Sequence, residues 1–110
     1  MRSDQEIYKG MGLILYKISP DSAEKIIMRA DLSPEGDHCA YEYDYIDNSG
    51  NTEWLTAGGQ ADTDMLRYLV ELRDYYIDNN LTNDRPVWHG CEVTLDIEQM
   101  KLNIDFKYED

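Results

Sequence analysis

Lys25-Ile26-Ile27-Met28-Arg29-Ala30-Asp31-Leu32 is followed by Ser33-Pro34-Glu35-Gly36-Asp37 and then by His38-Cys39-Ala40-Tyr41-Glu42-Tyr43-Asp44-Tyr45-Ile46. The first run alternates, with Ile26, Met28, Ala30 and Leu32 on one side and Ile27, Arg29 and Asp31 on the other. Side chains of a strand point to opposite faces in turn, so the pattern reads as a half-buried strand. Proline, glycine and aspartate in the middle segment are turn chemistry. The second run alternates again, with Cys39, Tyr41, Tyr43 and Tyr45 sharing one side. An antiparallel strand pair follows.

Upstream, Ile7, Met11, Ile14, Leu15 and Ile18 fall at helical spacing between Asp4 and Ile18, and Ser19-Pro20 stops the pattern. Downstream, Asp47-Asn48-Ser49-Gly50-Asn51 is a second turn, and Thr52 to Thr56 is a short third strand before Gly58-Gly59. Asp62 to Asn80 reads as a helix with Met65, Leu66, Leu69, Leu72 and Tyr76 in its stripe. Asp62 or Thr63 is placed to cap it, and Asn79-Asn80 to end it. A polar link through Asn83, Asp84 and Pro86 leads to a closing hairpin, in which Val93, Leu95 and Ile97 and then Leu102, Ile104, Phe106 and Tyr108 alternate with polar residues. The order is α-β-β-(β)-α-β-β. The expected fold is α+β, a single domain over residues 1–110, with two helices on one face of an antiparallel sheet of four to five strands. On the other face Arg29, Asp31, Glu42, Asp44, Glu92, Asp96, Glu98, Lys101, Asp105 and Lys107 are expected, seven acids against three bases.

Charge is the main functional clue. The 110 residues carry a formal net charge of -13. Between Ala30 and Leu66 stand Asp31, Glu35, Asp37, Glu42, Asp44, Asp47, Glu53, Asp62 and Asp64, without one Lys or Arg. An uncompensated field repels itself unless a positively charged partner supplies the missing charge. Nucleic acid and anionic membranes are recognised through Lys and Arg, so both are disfavoured and a basic protein is favoured. Two cysteines, no export signal and no apolar run near the ~20 residues that span a bilayer point to a cytoplasmic protein with reduced thiols.

Sites of chemistry find little support. His38, Cys39, His89 and Cys91 are zinc-ligand types, but adjacent strand residues point apart and no Cys-x-x-Cys occurs. The Asp47–Glu53 turn resembles a calcium loop only faintly, because Tyr45 stands where the first acid belongs. Gly58-Gly59 lacks phosphate-loop spacing. No cofactor, metal or catalytic residue is assigned, and the chain is not read as an enzyme. Trp54, inside the acidic run, is the better interface anchor, and Trp88, just after Pro86 and before the hairpin, is expected to pack over a sheet edge.

At the carboxyl end, Leu102-Asn103-Ile104-Asp105-Phe106-Lys107-Tyr108-Glu109-Asp110 resembles the terminal strand of YezG-like antitoxin and immunity proteins, which close on an Ile-Asp-Phe-x-Tyr-Glu pattern. The Ala23-Glu24-Lys25-Ile26 strand entry, the aromatic strand pair, the Leu-rich helix and Pro86 with Trp88 are similar in order, although Ala23 replaces an aromatic and Val87 separates Pro86 from Trp88. The resemblance implies a cytosolic immunity protein of the polymorphic-toxin or contact-dependent growth inhibition kind, which neutralises a toxin's carboxyl-terminal domain, often a nuclease. It transfers no catalytic residue. A basic nuclease groove matches the acidic chain, and the expected contacts are Tyr43, Asp44, Asp47, Glu53, Trp54, Asp62 and Asp64, in a 1:1 complex with a monomer. The rival readings are an acidic adaptor or nucleic-acid mimic that sequesters a DNA- or RNA-binding protein, and a small hydrolase using Cys39 or Cys91.

Overall fold

The computed structural model describes residues 3–82 and 86–108; Asn83 and Asp84 of the polar link, and Glu109 and Asp110 of the terminal motif, lie outside them. In chain order the elements are α1 (Asp4–Ile18), β1 (Ala23–Leu32), β2 (Cys39–Asp47), β3 (Thr52–Leu55), α2 (Gly59–Asp78), β4 (Gly90–Asp96) and β5 (Lys101–Lys107). The five strands form one antiparallel sheet in the order β3-β2-β1-β4-β5, so the expected α+β class and element order hold. The strand that opens the chain's sheet becomes its centre. Both flanking hairpins therefore hang on β1.

Alternation sorts the two faces as the sequence reading expects. Ile26, Met28, Ala30 and Leu32 of β1 are buried with Cys91, Val93 and Leu95 of β4 beneath Ile7, Met11 and Leu15 of α1 and Met65, Leu69 and Leu72 of α2. The helices pack against each other closely because α1 offers Gly10 to Tyr68. A Cβ there would lie 2.3 Å from the tyrosine ring. Trp88 closes the far side of the core, stacked on Phe106 at 4.8 Å between ring centres and edge-on to Tyr76 at 6.1 Å. Its Nε1 is buried and has no hydrogen-bond partner among the described residues.

The β1–β2 turn is locked from two directions. The Ser33 hydroxyl donates to Asp37 Oδ1 at 2.9 Å and accepts the Asp37 and His38 amides, and with the neighbouring His38 ring this holds the Asp37 carboxyl below the usual range. Arg73 of α2 donates to Ser33 O at 2.9 Å, tying the turn to the helix layer.

Helix α2 begins three residues before the expected Asp62, and neither Asp62 nor Thr63 caps it. The sheet claims Asp62 instead: Tyr43 donates its hydroxyl to Asp62 Oδ1 at 3.0 Å, and Tyr41 to Asp62 O at 2.9 Å. Gly58 takes the cap position at a φ of 93°, a left-handed conformation suited to glycine, and Asp62 N–H closes the first turn on Gly58 O. At the other end Asn79 caps α2 as expected, its amide and side-chain nitrogens both donating to Tyr75 O. Among the described residues no helix is long and apolar enough to cross a membrane.

Candidate interaction surface

The face of the sheet away from the helices is open, and register decides which charges meet on it. Arg29 on the central strand reaches Asp44 Oδ2 on β2 at 2.8 Å with Nη1 and Glu92 Oε2 on β4 at 3.1 Å with Nε. The Asp44 bond, then the Glu92 charge, hold the guanidinium proton more tightly, against the opposing effect of burial. The open face is less acidic than expected. Lys25 joins it, and Glu98 falls in the β4–β5 turn, so Asp31, Glu42, Asp44, Glu92, Asp96 and Asp105 stand against Lys25, Arg29, Lys101 and Lys107.

Trp54 is the most exposed large apolar side chain among the described residues, at 77%. It lies on the edge strand β3 directly opposite Asp44, so both project from the open face. Main-chain alternation adds to its accessibility. Asp47 N–H bonds Asn51 O at 2.9 Å at the turn, which puts the β2–β3 ladder on Tyr45–Glu53 and Tyr43–Leu55. The main-chain groups of Thr52 and Trp54 accordingly point away from the sheet.

The seven expected contact residues do not form one patch. Asp44 and Trp54 share the open face. Glu53 pairs with Tyr45 and faces the helix side, exposed. Asp47 serves the β2–β3 turn, its Oδ1 accepting the Ser49 and Asn51 amides at 2.9 Å each. Asp64 sits on α2, bonded by Gln60 at 3.0 Å, at the rim of the groove between the helices near Lys17 and Arg67. Tyr43 is only 4% exposed, because its strand alternation turns it under α2, and it presents little surface for direct contact. Tyr43 nonetheless helps build the edge. It lines, with Trp54 and Asp62, a crevice of about 300 Å³ where β2, the end of β3 and the start of α2 meet. Burial foremost, then the Asp62 bond, raises the Tyr43 hydroxyl well above the ordinary phenol range, so it remains a donor to that carboxylate.

Arg29 is the residue that sequence reasoning undervalued. Its two acids lie 15 and 63 residues away, and only the β2-β1-β4 order brings them together. The four zinc-ligand types are dispersed in role: His38 pairs with Asp37 and His89 with Asp31, each at 3.0 Å, while Cys39 and Cys91 are free thiols. Among the described residues no three His, Cys, Asp or Glu side chains gather in a metal-binding group.

No family model matches the chain, and no curated protein matches it significantly.

Proposed function

We propose that this chain is an immunity protein that binds a cognate toxin domain, a basic nuclease, in the cytoplasm and blocks it by stoichiometric association without turnover. The observation that carries the reading is the β3 edge. There an exposed Trp54 stands beside Asp44 and Glu53, inside a stretch with nine carboxylates and no Lys or Arg. Tryptophan is a frequent binding anchor, and the chain's excess of acids, a formal net charge of -13, steers a basic partner. The outward main-chain groups of Thr52 and Trp54, which no strand pairs among the described residues, would let a partner segment add to the sheet while its cations meet the acids. The carboxyl-terminal resemblance to YezG-like proteins points the same way.

The test is co-purification with the protein encoded immediately upstream, with one of the two tagged. The expected result is a stable equimolar complex that suppresses nuclease activity. Trp54→Ala with Glu53→Lys should weaken it while leaving the fold intact, since neither side chain is buried or bonded within the sheet's core. Absence of a complex with a harmless neighbour would sink this reading and favour an acidic adaptor that sequesters a nucleic-acid-binding protein.

A further inference from the structure

Strand β5 is the longer edge of the sheet, seven residues against four in β3. The register shows which of its main-chain groups are free. Leu32 N–H donates to His89 O at 2.7 Å across β1 and β4, and hydrogen-bonded pairs recur at every second residue. Cys91, Val93 and Leu95 thus turn their main-chain groups to β1, and Glu92, Thr94 and Asp96 turn theirs to Asp105, Asn103 and Lys101 of β5. The N–H and C=O groups of Leu102, Ile104 and Phe106 face outward, and among the described residues no strand pairs with them.

The side chains of this edge are unfinished as well. Leu102, Ile104 and Phe106 are only half-buried, whereas Val93 and Leu95 beside them on β4 are fully buried. Met100, just before the strand, is 49% exposed. A cleft of about 620 Å³ bordered by Tyr8, Tyr76, Met100 and Phe106 runs along the strand. Long, accessible, apolar edges are sites of strand addition unless something covers them.

Charge selects what covers this one. On the open face Asp105 lies directly opposite Glu92, whose carboxylate is already engaged with Arg29, while Lys101 lies opposite Asp96. A strand docked at the edge should bring a cation to Asp105 and an anion to Lys101. A second copy of β5, running antiparallel about a twofold axis at Asn103, does both: Lys101 meets Asp105 of the other copy, and Asp105 meets its Lys101. The same register places Leu102 opposite Ile104 at hydrogen-bonded positions and leaves the charged pairs at the closer, non-hydrogen-bonded ones. Moving the axis to Ile104 sets Lys101 against Lys107; moving it to Asp105 sets that residue against itself.

We infer that the chain forms a homodimer through antiparallel β5–β5 pairing centred on Asn103, joining two sheets into one. The β3 edge lies at the other end of each sheet and stays open. A toxin bound there would give a 2:2 assembly in place of the 1:1 complex expected from the sequence, and the dimer itself does not depend on the proposed function.

Sedimentation equilibrium of the full chain tests this. The wild type should dimerise, and Lys101→Glu or Asp105→Lys alone should weaken the dimer about tenfold or more, since each turns two attractive pairs into two repulsive ones. An equimolar mixture of the two variants should restore the dimer, because each introduced charge then meets its opposite across the axis. Asp105→Lys also removes the like-charge contact with Glu92, so a retained circular dichroism spectrum separates lost pairing from lost folding. A wild type that stays monomeric up to about 1 mM overturns the inference. So does a dimer indifferent to both reversals, or a monomer whose Leu102, Ile104 and Phe106 amides become protected from hydrogen exchange only when the toxin domain binds.

Discussion

Trp88 and Trp54 are the same side chain in opposite settings, one fully buried and the other 77% exposed. Trp88 follows a proline and enters the central layer, where Phe106 of the edge strand and Tyr76 of α2 enclose it. Its indole N–H finds no acceptor among the described residues, and an unmade bond of that kind costs about 1–3 kcal/mol, offset here by the area the ring buries. Trp54 sits on a strand of four residues at the opposite edge, on the face that no helix covers. It contributes little to the fold. The comparison separates a residue held for stability from one available for recognition, and variants at each should fail in different assays.

The largest expected effect is at the buried ring. Trp88→Ala should lower the free energy of unfolding by about 3–5 kcal/mol, measured by urea titration. Trp88→Phe should lose clearly less, because it discards the unpaired N–H along with part of the ring; equal losses would show that the orphaned donor is immaterial.

Alkaline pH attacks the same layer. Burial pushes the Cys91 thiol up to about 12 from its usual 9.0, and burial likewise raises the Tyr8, Tyr41 and Tyr43 hydroxyls above 10.0. A proton held more tightly in the folded chain makes stability fully present below the unfolded values and lost as pH rises through the folded ones. The urea midpoint should therefore hold steady up to about pH 9 and fall beyond it. A midpoint unchanged across that range would mean these groups titrate alike in both states.

At the exposed ring the effects should reverse. Trp54→Ala should leave unfolding within about 0.5 kcal/mol of the wild type but cost about 2 kcal/mol or more in affinity for the toxin domain, measured by calorimetry. An unaltered affinity would remove Trp54 from the interface.

The smallest effect is expected at Arg29. Arg29→Gln should cost about 0.5–1 kcal/mol of stability at low salt and less at high salt, because both its ion pairs are partly exposed. It should also speed association with a basic partner by releasing Asp44 and Glu92. Slower association would place Arg29 itself in the contact.

The failures of sequence reasoning share a cause. Tyr43 was legible as an inward residue from its alternation with Glu42 and Asp44, yet the acids on either side made it look like part of a surface. Asp62 looks like a helix cap because it precedes an apolar stripe; two tyrosines from β2 take it instead. The dispersal of Asp47, Asp62 and Asp64 over a turn, a helix start and a groove was invisible for the same reason. Charge counted along the chain carries no information on which face each residue joins.

Period and composition by themselves determined the element types, the inward residues of β1, β2, β4 and β5, both hairpins and the acidic imbalance, because these depend on neighbours in the chain. The tertiary structure alone decided that β1 is central, that Arg29 links Asp44 to Glu92, that Trp54 stands exposed at one edge, and that β5 forms the other edge. Those outcomes depend on which strand lies beside which, and strand order is set by the packing of two hairpins and two helices around one core, a choice made between segments far apart in the chain.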